Sequence, residues 1–347
     1  MRKRWLWCIL LVLLAVSPIL AQDSSVTLTV VTHDSFNVTE NVLKQFETDN
    51  NITVQILRSG DAGEMVNKAV LSKDNPLGDV MYGVDNTFLS RALNADLFVP
   101  YESPLLKDVP DAFQIDLKHN VTPVDYGDVC LNYDIAYFDQ QKLDLPQSLL
   151  DLTKPDYKSL LVVENPAKSS PGLAFLLATV AQFGETGDYT YLNYWADLVK
   201  NDVLVSDDWN DAYYNQFTMG GGNGTRPLVV SYASSPPFTV DSKTGMPTTG
   251  SIVADGTCFR QIEFVGILNG TKNLDAAQKF VDFMLSQPFQ EDMPLQMYVF
   301  PVNTTAKLPD EFTKFAAIPE KPVLMDYDQI DAHRDEWIKA WTETVLR

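Results

Sequence analysis

The chain has 347 residues, with 46 acidic against 26 basic side chains and a formal net charge of −20 at pH 7. So acidic a protein repels nucleic acid and anionic lipid, so neither is expected as a partner. With three histidines, no Cys/His cluster at zinc spacing, no Gly-rich loop ending in Lys-Ser/Thr and no G-x-S-x-G elbow, it reads as a non-enzyme without metal or cofactor.

The first residues set the compartment. Arg2, Lys3 and Arg4 precede an uncharged apolar run from Trp5 to Val16, and Ser17-Pro18-Ile19-Leu20-Ala21 follows as a cleavage region. Residues 1–21 therefore read as a secretory signal peptide, because the run is too short for a membrane anchor and ends in a small residue. Cys8 lies too early in that run to carry a lipid at the cleavage point. The protein is expected to be exported, to the periplasm or the outer face of the cytoplasmic membrane. Removing three basic residues with the leader takes the net charge from −20 to −23, as suits a soluble monomer. What remains is long for a single core and predicts two lobes. Two cysteines survive, Cys130 and Cys258; in an exported chain such a pair is more often bonded than free. Asn-x-Ser/Thr sequons at Asn37, Asn51, Asn120, Asn223, Asn269 and Asn303 matter only in a host that glycosylates exported chains.

From residue 26 the pattern alternates. Val26–Thr32 is β-branched and strand-like, Thr39–Thr48 fits a helix, and Ile52–Leu57 reads as a second strand. Asp61 can cap a helix over Ala62–Leu71. Gly78–Gly83 is a third short strand and Thr87–Ala95 another helix. Strands and helices alternating at this spacing predict a parallel α/β sheet. In such sheets ligands sit beyond the carboxyl ends of the strands, where His33, Asp34, Ser35, Asp61, Asp85 and Asn86 fall.

Two long extended runs interrupt the pattern, Asp125–Tyr133 and Gly256–Val265. Between them lie a strand over Lys158–Glu164, a helix over Leu173–Phe183 with Ser170 as cap and Pro171 in its first turn, a helix over Tyr189–Lys200 and a strand over Asp202–Ser206. The runs read as hinge strands joining two α/β lobes. The first lobe takes residues 26–128 and 262–305, the second 129–261. A C-terminal helical segment, 306–347, contains an amphipathic helix from Asp331 to Leu346. Cys130 and Cys258 lie one on each run, so neighbouring hinge strands would allow a disulfide.

The most aromatic stretch is Trp209–Phe238. Trp209, Tyr213, Tyr214 and Phe217 start a helix, a Gly-rich loop follows, and the strand Leu228–Ser231 delivers Tyr232, Ser234, Ser235 and Phe238 into a Ser/Pro turn. Aromatic faces with hydrogen-bonding tips suit a pocket for a flat polar ring, and equally an ordinary core.

Read in order, several stretches resemble the substrate-binding protein of bacterial thiamine importers of the ABC class. They are VVTHDSF, GDVMYGVDNTFL, VDYGDVCLNYD, SSPGLAFLL, WNDAY with VVSYASSP, and QPFQEDMP with FPVN. The resemblance covers nearly the whole mature chain. It implies a two-lobed periplasmic-binding-protein fold of type II, thiamine or its phosphates as ligand, and an ABC permease as partner. By position, Trp209 and Tyr232 match ring-contacting aromatics and Asp61 an acidic residue facing the aminopyrimidine. Ser169, Ser170 and Gly172 match a helix start that would hold the hydroxyethyl or phosphate end. His33 stands where the family has a Tyr, Tyr298 where it has a Trp, and Phe238 where it has a Tyr, and the loop after Phe36 is shorter. A cationic thiazolium suits aromatic faces and acidic neighbours.

Two other readings remain. One is a ferric carrier of the same fold using Tyr213 and Tyr214, although neighbours in a helix point about 100° apart. The other is a secreted thiamine-degrading enzyme, which would need a free activated cysteine.

Overall fold

The alternation of β-branched strands with amphipathic helices builds an α/β architecture. The computed structural model describes residues 25–347, and the predicted signal peptide lies outside them. In chain order the first elements are β1 (Val26–Thr32), α1 (Glu40–Asn50), β2 (Ile52–Arg58), α2 (Ala62–Leu71), β3 (Val80–Asp85), α3 (Leu89–Asn94) and β4 (Phe98–Val99). The strands β2, β1 and β3 lie side by side and parallel. Leu28 and Val30 of β1 are fully buried, as alternate residues on one face of a strand should be. Asp61 caps α2, its carboxylate accepting the Ala62 N–H at 2.6 Å.

The long strand β5 (Thr122–Asp134) then crosses the molecule, followed by α4 (Ile135–Gln141), β6 (Leu161–Glu164), α5 (Ser170–Phe183), α6 (Tyr191–Lys200), β7 (Leu204–Ser206), β8 (Leu228–Tyr232) and β9 (Thr249–Ile252). The return strand is β10 (Phe259–Leu268). After it come α7 (Leu274–Leu285), α8 (Gln287–Met297), β11 (Phe300–Pro301), α9 (Asp310–Phe315) and α10 (Tyr327–Val345). The sheet order is β2-β1-β3-β10-β5-β8-β6-β7. Each outer trio is parallel, and the central pairs are antiparallel. A two-lobed α/β chain therefore folds around two antiparallel crossing strands.

Cys130 and Cys258 form a disulfide between those strands. Val129 faces Phe259 in the register, so the cysteines are the next pair along, with Cα atoms 4.3 Å apart. Both are buried. Two residue pairs from the disulfide, Arg260 clamps Asp128 through Nε and Nη2 at 2.7 and 2.9 Å. Toward the other end of β10 the register slips at Glu263–Val265.

The C-terminal helix packs on both halves. Trp341 meets Trp195 of α6 edge-on at 5.5 Å, and Arg334 Nη1 donates to Ser90 Oγ of α3 at 2.8 Å. Trp337 and Trp341 are fully buried.

Candidate binding cleft

Between the two halves lies a narrow cleft with a cavity volume of about 50 Å³. Its second-half wall is aromatic. Trp209, Tyr213, Tyr214, Tyr232 and Phe238 line it, with Ser170, Pro171 and Ser235. The opposite wall carries His33, Ser35, Asp61, Ala62, Glu263, Met297, Tyr298 and Val299.

The Trp209 ring is held from several sides. It stacks on Tyr213 at 4.8 Å and meets Tyr214 edge-on at 5.5 Å. Its Nε1–H donates to Ser231 Oγ at 3.1 Å, and its backbone N–H donates to Asp61 Oδ2 at 3.1 Å. Tyr232 donates from its hydroxyl to Gln261 Oε1 at 3.1 Å. Its ring lies against Gly127, where a Cβ would sit 2.6 Å from Tyr232 Cδ1. Gly83, at φ +97°, similarly leaves room for His33, whose Cδ2 would be 2.2 Å from a Cβ there.

Beneath the aromatic wall lies a set of buried carboxyls. Tyr82 donates its hydroxyl to Asp125 Oδ2 at 2.5 Å and lies 3.2 Å from Glu263 Oε2. Glu263 Oε1 is 3.5 Å from His33 Nε2. Asp85 accepts from the Thr87 N–H and hydroxyl and from Gln261 Nε2. Burial pushes the Asp85 carboxyl up to about 6, against the pull of the Thr87 hydroxyl. Burial, reinforced by Glu263, holds Asp125 well above the usual carboxylate range. Glu164 is raised in the same way, by burial and then by Asp61. Asp61 is raised by burial, opposed by hydrogen bonds from Trp209, Ala62 and Ser169. A cation entering this cleft would favour the ionised form of Asp61, the one of these raised carboxyls that lines it.

The halves also touch each other around the rim. The Glu64 N–H donates to the Lys168 carbonyl at 3.1 Å, and Ser234 Oγ donates to the Tyr298 carbonyl at 2.6 Å. Tyr298 adopts φ 56°, the left-handed region, where it closes the carboxyl end of α8. Its ring meets Phe238 edge-on at 5.1 Å.

The structure thus brings His33, Asp61, Ser170, Trp209, Tyr232, Phe238 and Tyr298 to one cleft. Ser169 and Gly172 stand behind the wall. Ser169 is fully buried and caps α5, its Oγ accepting the Gly172 N–H at 3.4 Å. Gly172 allows close helix–strand packing, since a Cβ there would lie 2.6 Å from the Glu164 carbonyl oxygen. Both Asp61 oxygens are engaged by backbone N–H groups. Asn86 pairs with Ile262 and Arg260 of β10 and does not line the cleft.

Three features differ from the sequence expectation, the first being that Ser169 rather than Ser170 caps α5. Residues 211–216 form a π-helical turn, with Phe217 N–H bonded to the Ala212 carbonyl at 3.0 Å. The wider turn lets Tyr213 and Tyr214 both reach the cleft, so the helical-angle argument against their acting together fails. Burial pushes the Tyr213 hydroxyl far up, which works against a phenolate. Glu263 was missed as a site residue. Its charge inside the otherwise apolar stretch from Ile262 to Leu268 of β10 was the available signal, because a buried charge requires a partner.

A family model of bacterial extracellular solute-binding proteins matches residues 75–332. The chain is 29% identical to the thiamine-binding periplasmic protein of Escherichia coli (strain K12), over 98% of this chain and 99% of that one. Among solved structures, a periplasmic thiamin binding protein superposes with TM-score 0.80 at 26% identity, covering 92% of this chain and 96% of that one. Iron-bound HitA from Pseudomonas aeruginosa superposes with TM-score 0.74 at 19% identity, covering 92% and 99%, a likeness of fold alone.

Proposed function

Because the chain belongs to the bacterial extracellular solute-binding proteins, we propose that it captures thiamine, free or as a phosphate, and hands it to the permease of an ABC importer. The observation that carries this reading is the pairing of two surfaces in one cleft. The Trp209–Tyr213–Tyr214–Tyr232 wall offers faces for flat rings, and Asp61 and Glu263 offer negative charge. Thiamine is a cation built from two flat rings, and aromatic faces attract such cations. The thiamine-binding names of the E. coli relative and the superposed structure agree with it.

In this reading residues 26–128 and 262–305 form one lobe and 129–261 the other. The lobes close about β5 and β10, and preferential binding to the closed form drives closure. The chain acts as an exported monomer, and the name of the periplasmic relative supports the export. Among the described residues no helix is long and apolar enough to cross a membrane. Capture needs no chemical step. The cysteines that a thiamine-degrading enzyme would draw on are bonded to each other.

Titration calorimetry of the ligand-stripped mature protein with thiamine tests the reading. Submicromolar binding supports it. A folded protein that gives no heat with thiamine or its phosphates refutes it. A visible charge-transfer band on adding Fe(III) would favour the ferric alternative.

A further inference from the structure

We propose that Asp125 serves ligand capture as a neutral carboxylic acid whose proton is donated to Glu263 and positions that carboxylate at the cleft, a role that rests on the thiamine reading above. The ground is a row of three acidic side chains on adjacent strands. In the ladder Glu263 of β10 faces Asp85 of β3 on one side and Asp125 of β5 on the other. All three residues are buried, and like charges directly opposite one another in a sheet repel.

The three are not equally supplied with partners. Asp85 accepts from the Thr87 N–H and hydroxyl, the Phe88 N–H and Gln261 Nε2. Glu263 lines the cleft and has His33 Nε2 3.5 Å from its Oε1. Asp125 has neither advantage. Its Oδ2 accepts from the Tyr82 hydroxyl at 2.5 Å, and its Oδ1 is buried with no partner among the described residues. The titratable groups facing it are Tyr82 and Asp85 of β3, Tyr232 of β8 and Glu263 of β10, none of them a cation. Arg260, on the same strand as Glu263, is bound to Asp128. A buried carboxyl with one donor and no counter-ion keeps its proton, and burial and Glu263 both push Asp125 that way.

One proton on Asp125 completes the cluster. Tyr82 has a single hydroxyl hydrogen, and its oxygen lies 3.2 Å from Glu263 Oε2 as well as 2.5 Å from Asp125 Oδ2. With that hydrogen given to Asp125, Glu263 needs a donor of its own. The Asp125 carboxyl is within hydrogen-bonding reach of Glu263, and the unpartnered Oδ1 is the oxygen left to carry the proton. The Asp125 O–H bond to Glu263 leaves the negative charge on Glu263, where His33 and a cationic ligand ring can answer it. Bonds from an O–H to a carboxylate are short and strong, so the Glu263 side chain is held in one orientation.

Two variants and one spectrum test the role. Asp125→Asn keeps an N–H donor for Glu263 and a carbonyl for the Tyr82 hydroxyl, whereas Asp125→Leu removes both. In calorimetric titration of the ligand-stripped mature protein at neutral pH, Asp125→Leu should bind thiamine at least about tenfold more weakly than the wild type, and Asp125→Asn should recover to within about threefold. The infrared difference spectrum of wild type minus Asp125→Asn, taken without ligand at neutral pH, should show the C=O stretch of a protonated carboxyl. Absence of that stretch overturns the inference. So does Asp125→Asn binding as weakly as Asp125→Leu, which would mean that capture needs a negative charge at this position, or Asp125→Leu binding as tightly as the wild type. If Asp125→Leu fails to fold, the Asn variant and the spectrum decide. A wild type that binds no thiamine overturns the thiamine reading and the capture role with it, while the ligand-free spectrum still reads the proton on Asp125.

Discussion

Replacing both cysteines, Cys130→Ala with Cys258→Ala, removes the cross-link between the two crossing strands. The bond closes a loop of 128 residues, and a chain-entropy treatment of a loop that long gives about 5 kcal/mol of stability. The side chains contribute little else. They are fully buried against Ala233, and alanine retains most of their packing volume. Measured losses generally fall below the entropic figure, so about 3–5 kcal/mol is expected. For a protein of this length that corresponds to roughly 4–7 °C in melting temperature. Calorimetric melting and urea titration of the oxidised and doubly substituted proteins would measure it. The register of β5 and β10 is set by Arg260–Asp128 and the surrounding ladder, so the variant should still fold. A loss below about 1 kcal/mol would refute the argument that the bond acts by restricting the unfolded chain.

Trp209→Ala removes the ring that stacks on Tyr213. It should weaken thiamine binding by about thirtyfold or more, from lost aromatic area and cation–π attraction, as read by calorimetry. Arg260→Met strands the Asp128 carboxylate, whose side chain is fully buried. The expected cost is about 3–5 kcal/mol in urea unfolding, with recovery in the Asp128→Asn, Arg260→Met double variant. Asp85 has its carboxyl raised from 3.8 to about 6, so the native protein keeps a proton that the unfolded chain releases between those values. Its stabilisation is complete at the acid end of that window and is lost as pH rises through it. Asp85→Asn should therefore gain on the wild type, by up to about 3 kcal/mol, between pH 4 and pH 7. A constant difference across that range would remove Asp85 as the source.

Much of this molecule was legible in its sequence because the signals were local. Val26–Thr32, with β-branched residues throughout and Leu28 and Val30 on one face, reads as a strand whatever surrounds it. Leu274, Ala277, Phe280, Val281 and Met284 recur at helical spacing, and α7 forms there. The two long extended runs became β5 and β10, and their antiparallel pairing put Cys130 opposite Cys258. The aromatic character of the cleft could likewise be read from Trp209–Phe238, since those residues are close in the chain.

What the sequence left open was which buried residues face the cleft. Every residue of β10 but Arg260 is buried, so period-two alternation could not single out Glu263. Tyr214 reaches the cleft only through a π-helical turn, a departure from helical spacing that residue pattern does not encode. Ser169 and Ser170 are neighbours of one kind, yet one caps a helix and the other faces the cleft. Asp61 reads as a helix cap, and its second bond, to the Trp209 N–H, exists only once the halves meet. Sequence pattern records short-range sterics and the periods of helix and strand. The cleft is assembled from His33, Asp61, Trp209, Glu263 and Tyr298, far apart in the chain, and only the path of β5 and β10 between the halves brings them face to face.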